Sequence, residues 1–295
     1  MPSLLRKVKT RLSIHAHRKV RGLLEGEYTS VFHGRSVEFD DLRHYVAGDA
    51  LKDIDWKATA RMGTPMTRRY IASRKHTVML VTDTGRDMAA LAAGGERKAD
   101  IAILAAGVVG YLATRHGDLV GIIAGDSGQT RFRAPASSDA HLEGILQLMH
   151  VHTTLDSQPS DLAGQLGYLA RSFRRRMILL VISDDRELGG EEVRLLRRLA
   201  VQHEILWLTI GDADPTGARL ATAEVFEVAD GRGLPAFLRG GPAIAREFAA
   251  EAAASVSRCT DVLEGLEITS RRVGSESEVV PALFRLLDGH RRARR

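Results

Sequence analysis

The sequence predicts an α/β protein of three layers, with helices on both faces of a central, mostly parallel sheet. Two observations lead there. From about residue 76 onward, short apolar runs of strand length alternate with longer segments whose apolar residues recur at helical spacing. The runs are also continuously apolar rather than alternating, as expected for strands covered on both sides.

The elements follow in order. Residues 2–24 carry Leu5, Val8 and Leu12, then Val20, Leu23 and Leu24, at helical spacing, with a break near Ser13. Residues 26–71 change texture: glycines recur, charges dominate, and short pieces such as 36–39 suggest turns and brief strands. We therefore expect a boundary, with residues 1–75 as a small module of helix and short strands and residues 76–295 as the α/β domain with a helical extension. In the latter, 78–82 reads as a strand running into Asp83. Ile101, Leu104, Val108 and Leu112 mark a helix that Gly117 is placed to end. Residues 119–124 and 130–133, joined through Gly125-Asp126-Ser127-Gly128, read as a hairpin. Helices follow around Leu142 to Met149 and Leu162 to Leu169, then a strand over 177–182 ending in Ser183-Asp184. A helix at Val193 to Leu199 and a strand over 205–210 come next. Beyond lie a helix opening near Pro242, a final strand near 266–269 and a helix over 282–287.

Composition narrows the function. At 44% hydrophobic over 295 residues, the chain can bury a large core, and its single cysteine, Cys259, leaves no internal disulfide or cysteine zinc cluster. No apolar run approaches the roughly 20 residues needed to cross a bilayer, and the basic N-terminus has no apolar stretch behind it. The expectation is a cytoplasmic protein without a membrane span. The net charge of +5 gathers at 6–21, at Arg171, Arg174, Arg175 and Arg176, and in the C-terminal arginines. No aromatics interleave these clusters, so they read as solvated surface and nucleic acid as an unlikely partner.

In an open parallel sheet, ligands gather outside the carboxyl ends of the strands. Two strands deliver aspartates there, Asp83 and Asp184, and two carboxylates in one crevice suit a hard cation such as Mg²⁺. Thr153 or Thr154 could add a hydroxyl. The competing reading is that both aspartates accept hydrogen bonds from neighbouring loop and helix-start amides. Upstream, acidic residues including Asp49, Asp53 and Asp55 interleave with Arg35, Arg43, Lys52 and Arg61. Mutual ion pairing is the simpler account there, with Trp56 as a core anchor. No Gly-x-x-x-x-Gly-Lys-Ser/Thr loop is present, so the chain is not itself an ATPase of that type.

Two stretches carry a resemblance. Asp83-Thr84-Gly85-Arg86-Asp87 sits where a von Willebrand factor A domain has its Asp-x-Ser-x-Ser metal motif. The block from Gly34-Arg35 through Glu38-Phe39, Arg43, Tyr45 and Gly48-Asp49 to Asp55-Trp56 and Ala60-Arg61 resembles the signature of the domain of unknown function 58 family. The resemblance implies a von Willebrand factor A-like, Rossmann-like domain and, as partner, a MoxR-type AAA+ ATPase. It also implies a metal site of Asp83, Asp87, Thr154 and Asp184. That site is degenerate, because Gly85 and Asp87 stand in place of the two serines; Mg²⁺ is its candidate ion, and no other cofactor is implied. The expected function is a non-enzymatic adaptor or scaffold in a chaperone-like or complex-maturation role. The alternatives are nucleic-acid binding through the arginine clusters and a metal-dependent hydrolase using Asp83, Asp87 and Asp184.

Overall fold

The computed structural model describes residues 3–15, 28, 37–46, 49, 54–72, 75–216, 225–228, 231–233 and 242–293. The larger sheet has six strands in the order β5-β4-β3-β6-β7-β8. These are β3 (Thr77–Asp83), β4 (Leu119–Gly125), β5 (Thr130–Ala136), β6 (Ile178–Asp184), β7 (Glu204–Ile210) and β8 (Thr269–Val273). All neighbours are parallel except β4 and β5, which form the expected hairpin and leave β5 at the edge. Asp126 shapes its turn by accepting from the amides of Gly128 and Gln129 at 2.9 and 3.0 Å.

Each strand sends alternate residues to opposite faces. Val78, Leu80, Ile122, Leu180 and Leu208 face one apolar layer; Met79, Val81, Ile123, Leu179 and Trp207 face the other. The first layer contains α3 (Lys98–Arg115), α4 (Asp139–His152) and α8 (Glu276–Ala293), and the second contains α5 (Leu162–Ser172) and α6 (Gly190–Gln202). The last turns of α7 (Pro242–Gly265) add Leu263 to that second layer. The small residues of α3 have a packing reason. A Cβ on Gly107 would stand 2.5 Å from Val8 Cγ2, and one on Gly110 would stand 2.5 Å from Leu142 Cδ1. Gly117, at φ +81°, follows α3 in the left-handed conformation expected of it.

The N-terminal segment divides. Helix α1 (Leu4–His15) buries Leu5, Val8 and Leu12 in the first layer, so it belongs to the core of the α/β unit despite the boundary expected at residue 75. Expected helix beyond His15 lies outside the described residues. Strands β1 (Val37–His44) and β2 (Met66–Ala72) form a separate antiparallel pair, with α2 (Trp56–Met62) between them in sequence. The C-terminal stretch completes the sheet: β8 begins at Thr269, the last residue of the expected strand, and α8 covers it. Among the described residues no helix is long and apolar enough to cross a membrane.

Candidate functional site

The strand order reverses between β3 and β6: from β3 the chain first builds outward through β4 and β5, then returns to add β6, β7 and β8 on the other side. A crevice at the carboxyl ends is expected at such a switch point. Asp83 closes β3 and Asp184 closes β6, on neighbouring strands paired with Thr82 opposite Ile182. The structure thus brings together the two aspartates singled out by sequence.

Both are buried, at 3% and 8% exposure. Asp83 Oδ1 accepts from the Gly85 amide at 2.5 Å, while its Oδ2 is buried with no hydrogen-bond partner of good geometry among the described residues. Burial pushes the Asp83 carboxyl up to about 7; the Gly85 amide opposes the rise and the nearby Asp184 charge adds to it. Asp184 is raised as well, chiefly by burial, with the Lys98 ammonium working against the shift.

Lys98 opens α3 and is 2% exposed. Its ammonium stands 3.7 Å from Asp184 Oδ2 and pairs closely with Asp212, just beyond β7. Asp212 is therefore a third aspartate at a strand tip. The pattern was present in the sequence, where the apolar run ending at Ile210 leads into Gly211-Asp212. The signal for Lys98 was a cation at the head of a helix whose middle, from Ile101 to Ala113, is apolar and Ala-rich. The loop after β6 is likewise tied down. Asp185 accepts from Arg272 Nη2 at 2.6 Å and Nε at 3.1 Å; Arg186 pairs with Glu192 at 2.5 Å; Glu187 pairs with Arg258.

Asp87 lies in the short 3₁₀ turn Arg86–Ala89 and is half-buried; its charge is felt at Asp184. The segment 157–160 closes over this turn through Arg86 N–H to Gln158 O at 3.1 Å and Ser127 N–H to Pro159 O at 2.9 Å. It sets Ser160 directly against Gly85. The Thr84 hydroxyl has no hydrogen-bond partner among the described residues, and the Ser160 hydroxyl is near enough to the Asp83 carboxyl to oppose its rise.

The expected metal set does not assemble into a coordination shell. Thr154 is exposed, and its hydroxyl engages Ser157 Oγ at 3.2 Å within a local turn. The Thr153 hydroxyl donates to Met149 O at 2.8 Å, closing the end of α4. Gly85 offers no hydroxyl, and an ammonium already stands beside Asp184. Among the described residues no group of three or more His, Cys, Asp or Glu is arranged to hold a metal ion. The expected set of Asp83, Asp87, Thr154 and Asp184 therefore does not fit Mg²⁺.

The upstream signature builds local structure. Arg43 Nη2 pairs with Asp49 Oδ1 at 2.6 Å, and Asp49 Oδ2 accepts from the Val46 amide at 3.0 Å. The amide contact leads in holding the Asp49 carboxyl below its ordinary range. The Tyr45 amide donates to Pro65 O at 2.9 Å. Asp55 caps α2 by accepting from the amides of Lys57 and Ala58, both at 3.0 Å. Glu38 and Phe39 lie in β1 opposite Ile71 and Tyr70. Gly34, Arg35 and Gly48 fall outside the described residues. Trp56 corrects the expectation of a core anchor. It is 69% exposed, because it opens α2 on the side away from the buried Ala58, with Ala60 and Arg61 also exposed.

The family model described as "Protein of unknown function DUF58" matches residues 41–258, about three quarters of the chain. The chain belongs to the DUF58 family. Relatives of this DUF58 protein include "Uncharacterized protein Rv1480" of Mycobacterium tuberculosis and "Uncharacterized protein Mb1516" of Mycobacterium bovis. Each is 27% identical over 99% of this chain and 91% of the relative. Among solved structures, one of an aerotolerance-related membrane protein from Bacteroides fragilis aligns with a TM-score of 0.47 at 17% identity, over 72% of this chain and 99% of that one. The pilus adhesin SpaC of Lactobacillus rhamnosus GG aligns with a TM-score of 0.42 at 11% identity, over 75% of this chain and 30% of the adhesin.

Proposed function

We propose that this DUF58 protein is a non-enzymatic, cytoplasmic adaptor on a von Willebrand factor A-like domain, and that it docks a MoxR-type AAA+ ATPase in a chaperone-like or maturation role. One observation carries the reading: apart from Asp83, the charged groups named at the strand tips are engaged with one another. Asp184 and Asp212 share the Lys98 ammonium, Asp185 is held by Arg272, and Arg186 by Glu192. Groups fixed in this way hold loops in one shape, which suits recognition more than proton or group transfer. The sheet order, with one antiparallel edge and acids at the switch point, is compatible with the von Willebrand-like layout that the sequence resemblance implies.

Trp56 supplies a docking candidate. It stands exposed, with the exposed Lys57 beside it and Arg61 on the same short helix. Exposed tryptophan and arginine are enriched where interfaces concentrate their energy. The ATPase should co-purify with the DUF58 chain at moderate salt in at least one nucleotide state. Trp56→Ala should change unfolding free energy by no more than about 0.5 kcal/mol while weakening that association about tenfold. No association in any nucleotide state would remove the proposed partner. A large loss of stability in Trp56→Ala would instead return Trp56 to a structural role.

A further inference from the structure

We infer that the Lys98 ammonium is the resident cation of the crevice, standing in for a divalent ion among the strand-tip carboxylates. The inference rests on the geometry of the crevice and is independent of the adaptor reading.

The placement of Lys98 is unfavourable by every local criterion. It is the first residue of α3, where the helix dipole is already positive and a cation is disfavoured. Its side chain is 2% exposed, and burying an ammonium carries a large desolvation cost. The Arg97 side chain, which precedes it, makes no capping hydrogen bond. What offsets these costs is a pair of acids drawn from distant parts of the chain: Asp212 in contact and Asp184 at 3.7 Å. Acids converging from the tips of separate strands are the arrangement that a bound cation would otherwise hold together. Here the charge is delivered covalently, on a side chain long enough to reach inward from the helix start.

The chemistry of the surrounding residues agrees. An ammonium is a compact charge with three donors, and it needs acceptors but no completed coordination shell. A divalent ion of the Mg²⁺ type needs near-octahedral oxygen ligands. Here Gly85 has no hydroxyl to give, those of Thr153 and Thr154 are committed to Met149 O and Ser157, and that of Ser160 already acts on the Asp83 carboxyl, while that of Thr84 has no partner among the described residues.

The test uses the full chain, dialysed against chelator and titrated calorimetrically with Mn²⁺. The wild type should give no saturable heat at millimolar metal, and Lys98→Arg, which keeps a cation, should behave the same way. Lys98→Met removes the charge but keeps the apolar stem, and should gain saturable binding at least about tenfold tighter than the wild type. Adding Asp184→Asn to that variant should abolish the gain. Saturable binding by the wild type, or a folded Lys98→Met that binds no Mn²⁺, overturns the inference. Should circular dichroism find Lys98→Met unfolded, paramagnetic broadening in the wild type decides. Amide signals of Thr84, Gly85 and Asp184 that stay sharp with Mn²⁺, while that of exposed Glu191 broadens, support a site already filled. Selective broadening at Thr84, Gly85 and Asp184 refutes it.

Discussion

Raising the pH from about 5 to about 8 should weaken the fold, and Asp83→Asn should remove much of that dependence. Asp83 has a folded pKa of about 7 against an ordinary value of 3.8, so the folded state prefers the protonated acid. Its stabilising contribution is therefore complete below about pH 4 and is lost as the pH rises toward 7. At full ionisation the difference amounts to about 4 kcal/mol, a large share of a typical folding free energy. Asp184, raised chiefly by burial, acts in the same direction. His203 acts in the opposite direction: burial lowers its pKa, so its ionisation costs stability as the pH falls through the ordinary histidine range. Subtracting the Asp83→Asn profile from that of the wild type isolates Asp83. The asparagine keeps an oxygen for the Gly85 amide but cannot ionise. Urea unfolding of both proteins across this range is the measurement, and parallel profiles would show that Asp83 is not the titrating group.

The sheet was legible in the sequence because its strands are buried on both faces and so appear as continuous apolar runs of strand length. Residues 78–82, 119–124 and 205–210 needed no further context. The two edges were harder to read. Strand β8 contains Ser270, Arg271 and Arg272, polar residues that an edge position tolerates, and only its pairing with β7 makes it a strand. Strand β2 was hidden for the same reason, because Thr67, Arg68 and Arg69 carry no apolar run. The crevice was half legible. Aspartates at strand ends can be recognised one by one, and Asp83 and Asp184 were. The Lys98 contact joins residues 98, 184 and 212, and no spacing rule connects a helix start to two strand tips that are brought near only by the sheet order. Trp56 failed for a different reason: burial is the usual fate of tryptophan, and α2 is too short for its periodicity to show which face is covered.

The same geometry governs what should happen if the missing serine of the metal motif is restored. Gly85→Ser is expected to destabilise the protein by about 2 kcal/mol without creating metal affinity. Gly85 has φ −66° and ψ 171°, a conformation open to any residue, so the backbone itself does not require glycine. The objection is steric. A Cβ at this position would lie 2.5 Å from Ser160 Cα, 2.6 Å from Ser160 N and 2.6 Å from Ser160 Oγ, and two of those atoms are backbone that cannot rotate away. Segment 157–160 would have to lift, straining the bonds from Arg86 N–H to Gln158 O and from Ser127 N–H to Pro159 O that hold it down. Gly190→Ser is the matched control, since no atom lies within 4 Å of a Cβ there. Urea unfolding should separate the two variants clearly, and calorimetry with Mn²⁺ should be silent for both. If Gly85→Ser instead matches the control in stability and binds metal, the glycine records a lost ligand. If it is destabilised and silent, the glycine is required by the packing of Ser160.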